Sequence, residues 1–143
     1  HNGQNMPVVG LGTYTLKDDA SVDLFVRAVV EVGYRHIDTA AMYDNEARIG
    51  EALQKIYDAG VKREELFITT KLLMCHKDNP RAALATSLKN MRLDYVDLYL
   101  IHWPVSYIER DGQRTHQKWP LSMTWGKMEE LVDDGLARSA TSA

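Results

Sequence analysis

Four side chains in this sequence could act together on one reacting group. Asp38, Lys71 and His102 each fall at or just past the end of a short apolar run, and successive members stand close to one βα unit apart. Tyr43 follows Asp38 by one short loop. An aspartate at the end of a run such as His36-Ile37-Asp38-Thr39 needs a partner, because burying an unpaired carboxylate costs several kcal/mol. Lys71 supplies the opposite charge. An ammonium beside the Tyr43 phenol, whose reference pKa is about 10, favours the phenolate and so makes the phenol a better proton donor. His102 can donate a hydrogen bond to a substrate oxygen. A tuned tyrosine next to such a donor suits protonation of an oxygen that gains negative charge, as in carbonyl reduction with hydride from a cofactor.

The elements that must position these groups follow from the apolar pattern. Pro7 to Thr13 reads as a strand. Asp18 or Asp19 caps a helix carrying Val22, Phe25, Val26, Val29 and Val30, closed by Gly33. The strand His36 to Thr39 comes next. Asn45 caps a second helix with Ile49, Leu53 and Ile56 on one face, ended by Gly60. Leu66 to Thr70 is a strand rich in β-branched and aromatic residues. Asn79-Pro80 opens a third helix with Leu84, Leu88 and Met91, and Tyr95 to Ile101 is a fourth strand. Residues 109 to 118 read as a solvated polar insertion. A fourth helix from about Ser122 carries Trp125, Met128 and Val132 on its core face, and Ala137 to Ala143 begins a fifth strand. Strands alternating with helices predict a parallel sheet in one α/β domain. A doubly wound open sheet and part of a (β/α)8 barrel both satisfy the pattern, and in both the strand C-termini form the ligand edge.

Composition limits the function classes. The chain has 143 residues, 45% hydrophobic and 26% charged, which suits a globular domain with a true core. A net charge of −3 argues against nucleic acid as partner. No apolar run reaches the roughly 20 residues that cross a bilayer. A single cysteine, Cys75, excludes an internal disulfide and favours the cytoplasm. Cys75 and His76 are too few for a metal site. Taken singly, each candidate has a plainer reading: Asp38 as a cap, Lys71 as a solvated strand-end lysine, His102 as a satisfied core histidine. Their common height on consecutive strands favours catalysis. His36 reads as structural, and Asp97, within a strand, requires a partner such as a neighbouring lysine. Gly10-Leu11-Gly12 lacks the third glycine of a dinucleotide-binding fingerprint.

The segments GYRHIDTAAMYDNE (Gly33 to Glu46), FITTKL (Phe67 to Leu72) and LDYVDLYLIHWP (Leu93 to Pro104), with MPVVGLGTY (Met6 to Tyr14) before them, resemble the aldo-keto reductases in order and over the whole chain. The resemblance is strongest to the branch of aldose and aldehyde reductases and prostaglandin F synthases. It implies a TIM-type (β/α)8 barrel of which residues 1 to 143 cover about the first half, strands 1 to 5, with His1 to Met6 as the remnant of an N-terminal hairpin. It implies a catalytic tetrad of Asp38, Tyr43, Lys71 and His102: Tyr43 as general acid, Lys71 and Asp38 as its tuners, His102 as the group that orients the carbonyl. It further implies Gly12, Thr13 and Tyr14, with Asp38 and His102, beside the nicotinamide, and Tyr14, Tyr43, His102 and Trp103 around the substrate. NADPH is the implied cofactor, with NADH the alternative, and a small carbonyl compound the implied partner; no oligomer is specified.

A complete barrel needs roughly 250 residues. In the family a strand ending in Ser-Asn follows Gly135, and Ala143 stands where its Asn would fall. The segments for the cofactor phosphates and the loop that selects substrates lie beyond that point. A second reading is therefore a truncated, catalytically inactive relative that serves as a binding or structural partner.

Overall fold

A computed structural model describes residues 3–111 and 113–142. Five strands form one parallel sheet: β1 (Gly10–Gly12), β2 (His36–Asp38), β3 (Phe67–Leu72), β4 (Leu98–Ile101) and, at the far edge, Ala140–Ser142. Between them run α1 (Asp19–Arg27), α2 (Glu46–Asp58), α3 (Pro80–Met91) and α4 (Leu121–Asp133). Two more strands, β5 (Tyr107–Arg110) and β6 (Gln113–His116), pair with each other in an antiparallel hairpin before α4. The edge strand Ala140–Ser142 is therefore β7.

The sheet order is the chain order, β1-β2-β3-β4-β7, with every pairing parallel. Right-handed crossovers that always advance in one direction leave all their helices on one face of the sheet. A doubly wound sheet needs a reversal of order, which does not occur here. The topology selects the barrel architecture of the two that the sequence allowed.

Alternation along the strands divides the residues between the two faces. Ile37, Ile68, Tyr99 and Ile101 are almost wholly buried under the helices, against Leu53, Met91 and Met128. His36, Asp38, Leu98 and Leu100 point to the opposite, half-covered face. The alternation also puts Thr69 and Lys71 on this face, which carries the candidate site at its C-terminal end.

Local chemistry explains most element ends. Asp18 accepts from the Ser21 amide at 2.8 Å and caps α1, and Asn79 accepts from the Ala82 amide at 3.2 Å and caps α3 with Pro80 in the first turn. Gly33 closes the first helix in the left-handed region at φ 91°. Its last five residues, Ala28–Val32, wind as a π-turn, and Val30 turns outward while Val29 stays buried.

Four expectations need correction. Residues 109 to 118 are not a plain insertion: the β5–β6 hairpin runs through them, held by backbone pairing that a polar sequence does not announce. The buried stripe of α4 is Thr124, Met128 and Leu131, so Trp125 and Val132 flank it, and the Trp125 indole donates to Glu129. Asp97 is paired by arginines, Arg63 and Arg138, not by a lysine. The expected hairpin remnant at residues 1–6 forms no strand over residues 3–6; His1 and Asn2 lie outside the described residues, as does Ala143. Among the described residues, no helix is long and apolar enough to cross a membrane.

Candidate active site

Lys71 is the centre of the site. It sits one residue before the end of β3, so its side chain emerges at the rim of the sheet face. Its side chain is 8% exposed and its ammonium reaches Asp38 Oδ1 at 2.5 Å, the Thr39 carbonyl at 2.8 Å and Tyr43 Oη at 3.2 Å. An ammonium has three hydrogens to donate, and three acceptors surround this one. A buried lysine charge is tolerable only with such pairing.

Asp38 ends β2, the strand beside β3. It is in register with Thr69, and Lys71 shares Thr69's side of β3. The Asp38 side chain is 36% exposed, so the lysine and not the aspartate is the buried member of the pair. Tyr43 closes a short helical turn, Ala41–Tyr43, after which Asp44 takes a left-handed conformation at φ 53°. That turn brings the phenol back over the strand ends. The Lys71 ammonium is also 5.0 Å from the Tyr43 ring centroid, within cation–π range.

His102 follows β4 and its amide donates to the Leu72 carbonyl at 3.3 Å. Its ring stands edge-on to the Tyr43 ring, with 6.0 Å between centroids and 78° between planes. Burial holds the imidazole below its ordinary pKa. The Lys71 charge adds to that effect and Asp38 partly offsets it. The ring is therefore neutral at pH 7 and carries one N–H. Trp103 stacks on His102 at 6.1 Å and remains half exposed, and Tyr14 stands edge-on to Tyr43 at 5.1 Å. Four aromatic rings, those of Tyr14, Tyr43, His102 and Trp103, thus cluster beside the Lys71–Tyr43 contact.

The segment after β1 has a divided role. A Cβ built on Gly12 meets nothing within 4 Å, and Gly12 is in register with Asp38, so a flat group can approach the backbone there. Thr13, expected beside the cofactor, is fully buried, and each of its polar atoms is engaged within the protein. Its amide and hydroxyl both donate to the Asp38 carbonyl at 3.1 Å, and its own carbonyl accepts from Asn45. Thr13 fastens the segment; Gly12 and Tyr14 present it. None of the four central side chains can supply a hydride, and the open floor at Gly12 beside Asp38 fits a nicotinamide ring.

Two contributors escaped the sequence reading. The Thr39 carbonyl is a ligand of Lys71, and a backbone carbonyl leaves no residue-type signal. Asn45 was read as the cap of α2, yet it makes no side-chain cap bond and reaches across to the Thr13 and Leu16 carbonyls instead. His36 is structural, bonded to the Pro7 carbonyl and to Thr69 Oγ1. A cavity of about 450 Å³ lies between α2 and α3, lined by Glu46, Leu73, His76 and Ser87 among others; none of the four central groups borders it.

The chain is 45% identical to an aldose reductase of Encephalitozoon cuniculi, over 97% of its own length and 49% of that protein. It is 40% identical to a glycerol 2-dehydrogenase (NADP(+)) of Saccharomyces cerevisiae, over 97% and 48% respectively. Among solved structures, the aldose reductase of Schistosoma japonicum matches 99% of this chain and 50% of its own, with a TM-score of 0.90 and 42% identity. The chain spans about half the length of the curated relatives it matches, and its five parallel strands correspond to the first half of a (β/α)8 barrel. The aldo/keto reductase family pattern matches residues 8–141, and the chain belongs to that family.

Proposed function

We propose that these residues form the proton-delivering part of an oxidoreductase that reduces aldehydes or ketones to alcohols. One observation carries the reading: a buried ammonium, Lys71, bridges Asp38 and the Tyr43 hydroxyl at the C-terminal rim of a parallel sheet. Tyr43 Oη donates its proton to the carbonyl oxygen as negative charge builds there. The phenoxide left behind is stabilised by the Lys71 ammonium beside it, and Asp38 holds that ammonium in place. The neutral His102 ring donates its N–H to the same oxygen and fixes the carbonyl against Tyr43. Tyr14 and Trp103 offer exposed rings beside this site for the substrate to pack against.

Gly12 and Tyr14, with Asp38 and His102, would hold a reduced nicotinamide, which supplies the hydride when bound. The name of the yeast relative, with NADP(+) in it, supports NADPH over NADH. A small carbonyl compound is the substrate and the cytosol the setting, in keeping with one cysteine in 143 residues. The inactive, partner-binding reading has no observation in its favour.

The test is NADPH consumption by the protein with an aromatic aldehyde, compared with its Tyr43→Phe variant. The expected loss is about 10²- to 10⁴-fold in turnover, the range of a positioned acid. A Tyr43→Phe protein that keeps its rate overturns the proposal.

A further inference from the structure

The geometry points to Asn45 as a positioning residue that fixes the Tyr43 loop against the Thr13–Tyr14 segment; this rests on the reading of Tyr43 as proton donor. Asn45 occupies the position before α2 where an asparagine ordinarily turns its carboxamide onto the first helical amides. Here the side chain makes no cap bond, and the backbone at φ −138°, ψ 7° is not that of an ordinary cap. The carboxamide instead crosses to the loop after β1. Its Nδ2 donates to the Thr13 carbonyl at 2.7 Å and to the Leu16 carbonyl at 3.2 Å.

Two carbonyl oxygens facing one end of the group require the NH2 there, so the oxygen must point the other way. That oxygen, Oδ1, is buried and has no hydrogen-bond partner, in a residue only 3% exposed. A buried acceptor left unpaired is unfavourable, and an apolar residue would avoid it. A helix cap forgone and an acceptor left unpaired both disfavour Asn45 as a purely structural choice. Both follow if the bridge between the two loops is what the position is for.

The two loops are joined at further points. The Lys17 ammonium donates to the Tyr43 carbonyl, the Tyr14 ring meets the Tyr43 ring, and Thr13 donates twice to the Asp38 carbonyl. Asn45 and Thr13 are the buried members of this set, and of the two Asn45 alone reaches from the Tyr43 loop by its side chain. Through it, the residue two places after Tyr43 holds the carbonyl of the residue just before Tyr14. The distance from the phenol to the floor at Gly12 is thereby fixed, and with it the distance from the proton donor to the reacting carbon.

The experiment compares Asn45→Asp, Lys17→Ala and Tyr43→Phe with wild type in the whole protein. It reads kcat, aldehyde KM, the NADPH dissociation constant from tryptophan fluorescence, and the thermal midpoint. Asn45→Asp keeps the size and removes both donors. The expected result is a kcat loss on the order of 10- to 100-fold at a temperature where the variant is fully folded, with KM changed far less, as for a misaligned pair of reacting groups. Lys17→Ala, on the exposed side, loses kcat by a smaller factor, and the two effects are non-additive. A folded Asn45→Asp protein with wild-type kcat and only a lower midpoint overturns the proposal. Should Asn45→Asp fail to fold, Lys17→Ala decides: lower kcat at an unchanged midpoint supports the bridge, and unchanged kcat overturns it. If Tyr43→Phe keeps its rate, the proton-donor reading falls and this one with it. If Tyr43→Phe is inactive while Asn45→Asp is not impaired, this one alone falls.

Discussion

Lys71 and Asp38 form an ion pair at 2.5 Å in which the two charges live in different surroundings: the lysine side chain is 8% exposed and the aspartate 36%. The asymmetry decides which substitution costs more. In Asp38→Asn the carboxamide oxygen can still accept from the ammonium, but the buried positive charge no longer faces a negative one. In Lys71→Met the carboxylate left behind rehydrates, and the buried stem is replaced by one of similar shape. Asp38→Asn is expected to lose about 2 kcal/mol, below the range for a fully buried pair because solvent reaches Asp38. Lys71→Met is expected to lose less than that, yet to lose more turnover, because under the proposed function it removes the charge that stabilises the phenoxide. Urea midpoints and aldehyde turnover of both variants check the ordering; Lys71→Met as the less stable of the two contradicts it.

His102 gives stability a pH slope. Its folded pKa is depressed, chiefly by burial and next by the Lys71 charge. The unfolded chain, with the imidazole near its ordinary value of about 6.5, binds the proton more readily. The contribution of a neutral His102 is then complete above that value and is lost as pH falls through the folded one. Wild type is expected to lose stability relative to His102→Gln between about pH 7 and about pH 5. The remaining histidines are common to both proteins, so the difference isolates this one. A difference that does not change over the interval is the contrary result.

The parallel α/β sheet, three of the four helix faces and the four central side chains could be read from residue types and spacing, whereas the sheet order was left open between two architectures. Asp38, Lys71 and His102 announce themselves because each is a polar residue at the end of an apolar run. What stayed hidden depends on partners that a linear pattern does not specify. The β5–β6 hairpin is made by backbone pairing between Tyr107–Arg110 and Gln113–His116, and Gln113 to His116 are all exposed, so no alternation marks them. Asn45 looked like a cap because caps and loop bridges use the same residue types. Asp97 called for a cation, but its partners Arg63 and Arg138 lie far off in sequence on either side.

That Asp97 cluster closes the opposite end of the strands. Asp97 accepts from Arg63 Nη2 at 2.7 Å, from the Ile68 amide at 2.9 Å and from Arg138 Nη1 at 3.4 Å, with its side chain 3% exposed. Both guanidinium groups also lie over the Tyr95 ring, at 4.0 and 4.2 Å. Removing the carboxylate leaves the half-buried Arg63 guanidinium without its counter-charge and the buried Ile68 amide short of a partner. Asp97→Ala is expected to lose about 3 kcal/mol, with aldehyde KM unaltered because the cluster is at the end of the sheet away from Tyr43. A loss under about 1 kcal/mol would place the pair among weak surface bridges.

Glu46 should act in the opposite sense to His102. It is 5% exposed, accepts from Thr70 Oγ1 at 2.7 Å, and is held above the ordinary carboxyl pKa by burial, against the lowering effect of its Thr70 and Ser87 bonds. A raised folded pKa means that its contribution is complete below the unfolded value of about 4.3 and is lost as pH rises through the folded one. Glu46→Gln keeps the shape and still accepts from Thr70, and it does not ionise. The variant is expected to be more stable than wild type at neutral pH, with the gap closing as pH falls toward about 4. Denaturant titrations at the two pH values measure the gap; one that widens on acidification is the opposite of this account.

Two helical glycines give a signed test of packing between α2 and α3. An alanine in an exposed helix interior is favoured over glycine by about 1 kcal/mol. At Gly126 in α4 an added Cβ meets nothing within 4 Å, so Gly126→Ala is expected to raise stability by about that amount. At Gly50 in α2 the same atom would sit 2.4 Å from the Asn90 carbonyl oxygen and 3.0 Å from the Met91 Cα. Those are backbone atoms of the last turn of α3, so no side-chain rotation relieves the contact; the helices themselves must separate. Overpacking of that kind costs about 1–3 kcal/mol and outweighs the propensity gain. Gly50→Ala is therefore expected to destabilise while Gly126→Ala stabilises, in the same protein and the same denaturant series. Stabilisation at both positions would mean that α2 and α3 do not approach through Gly50.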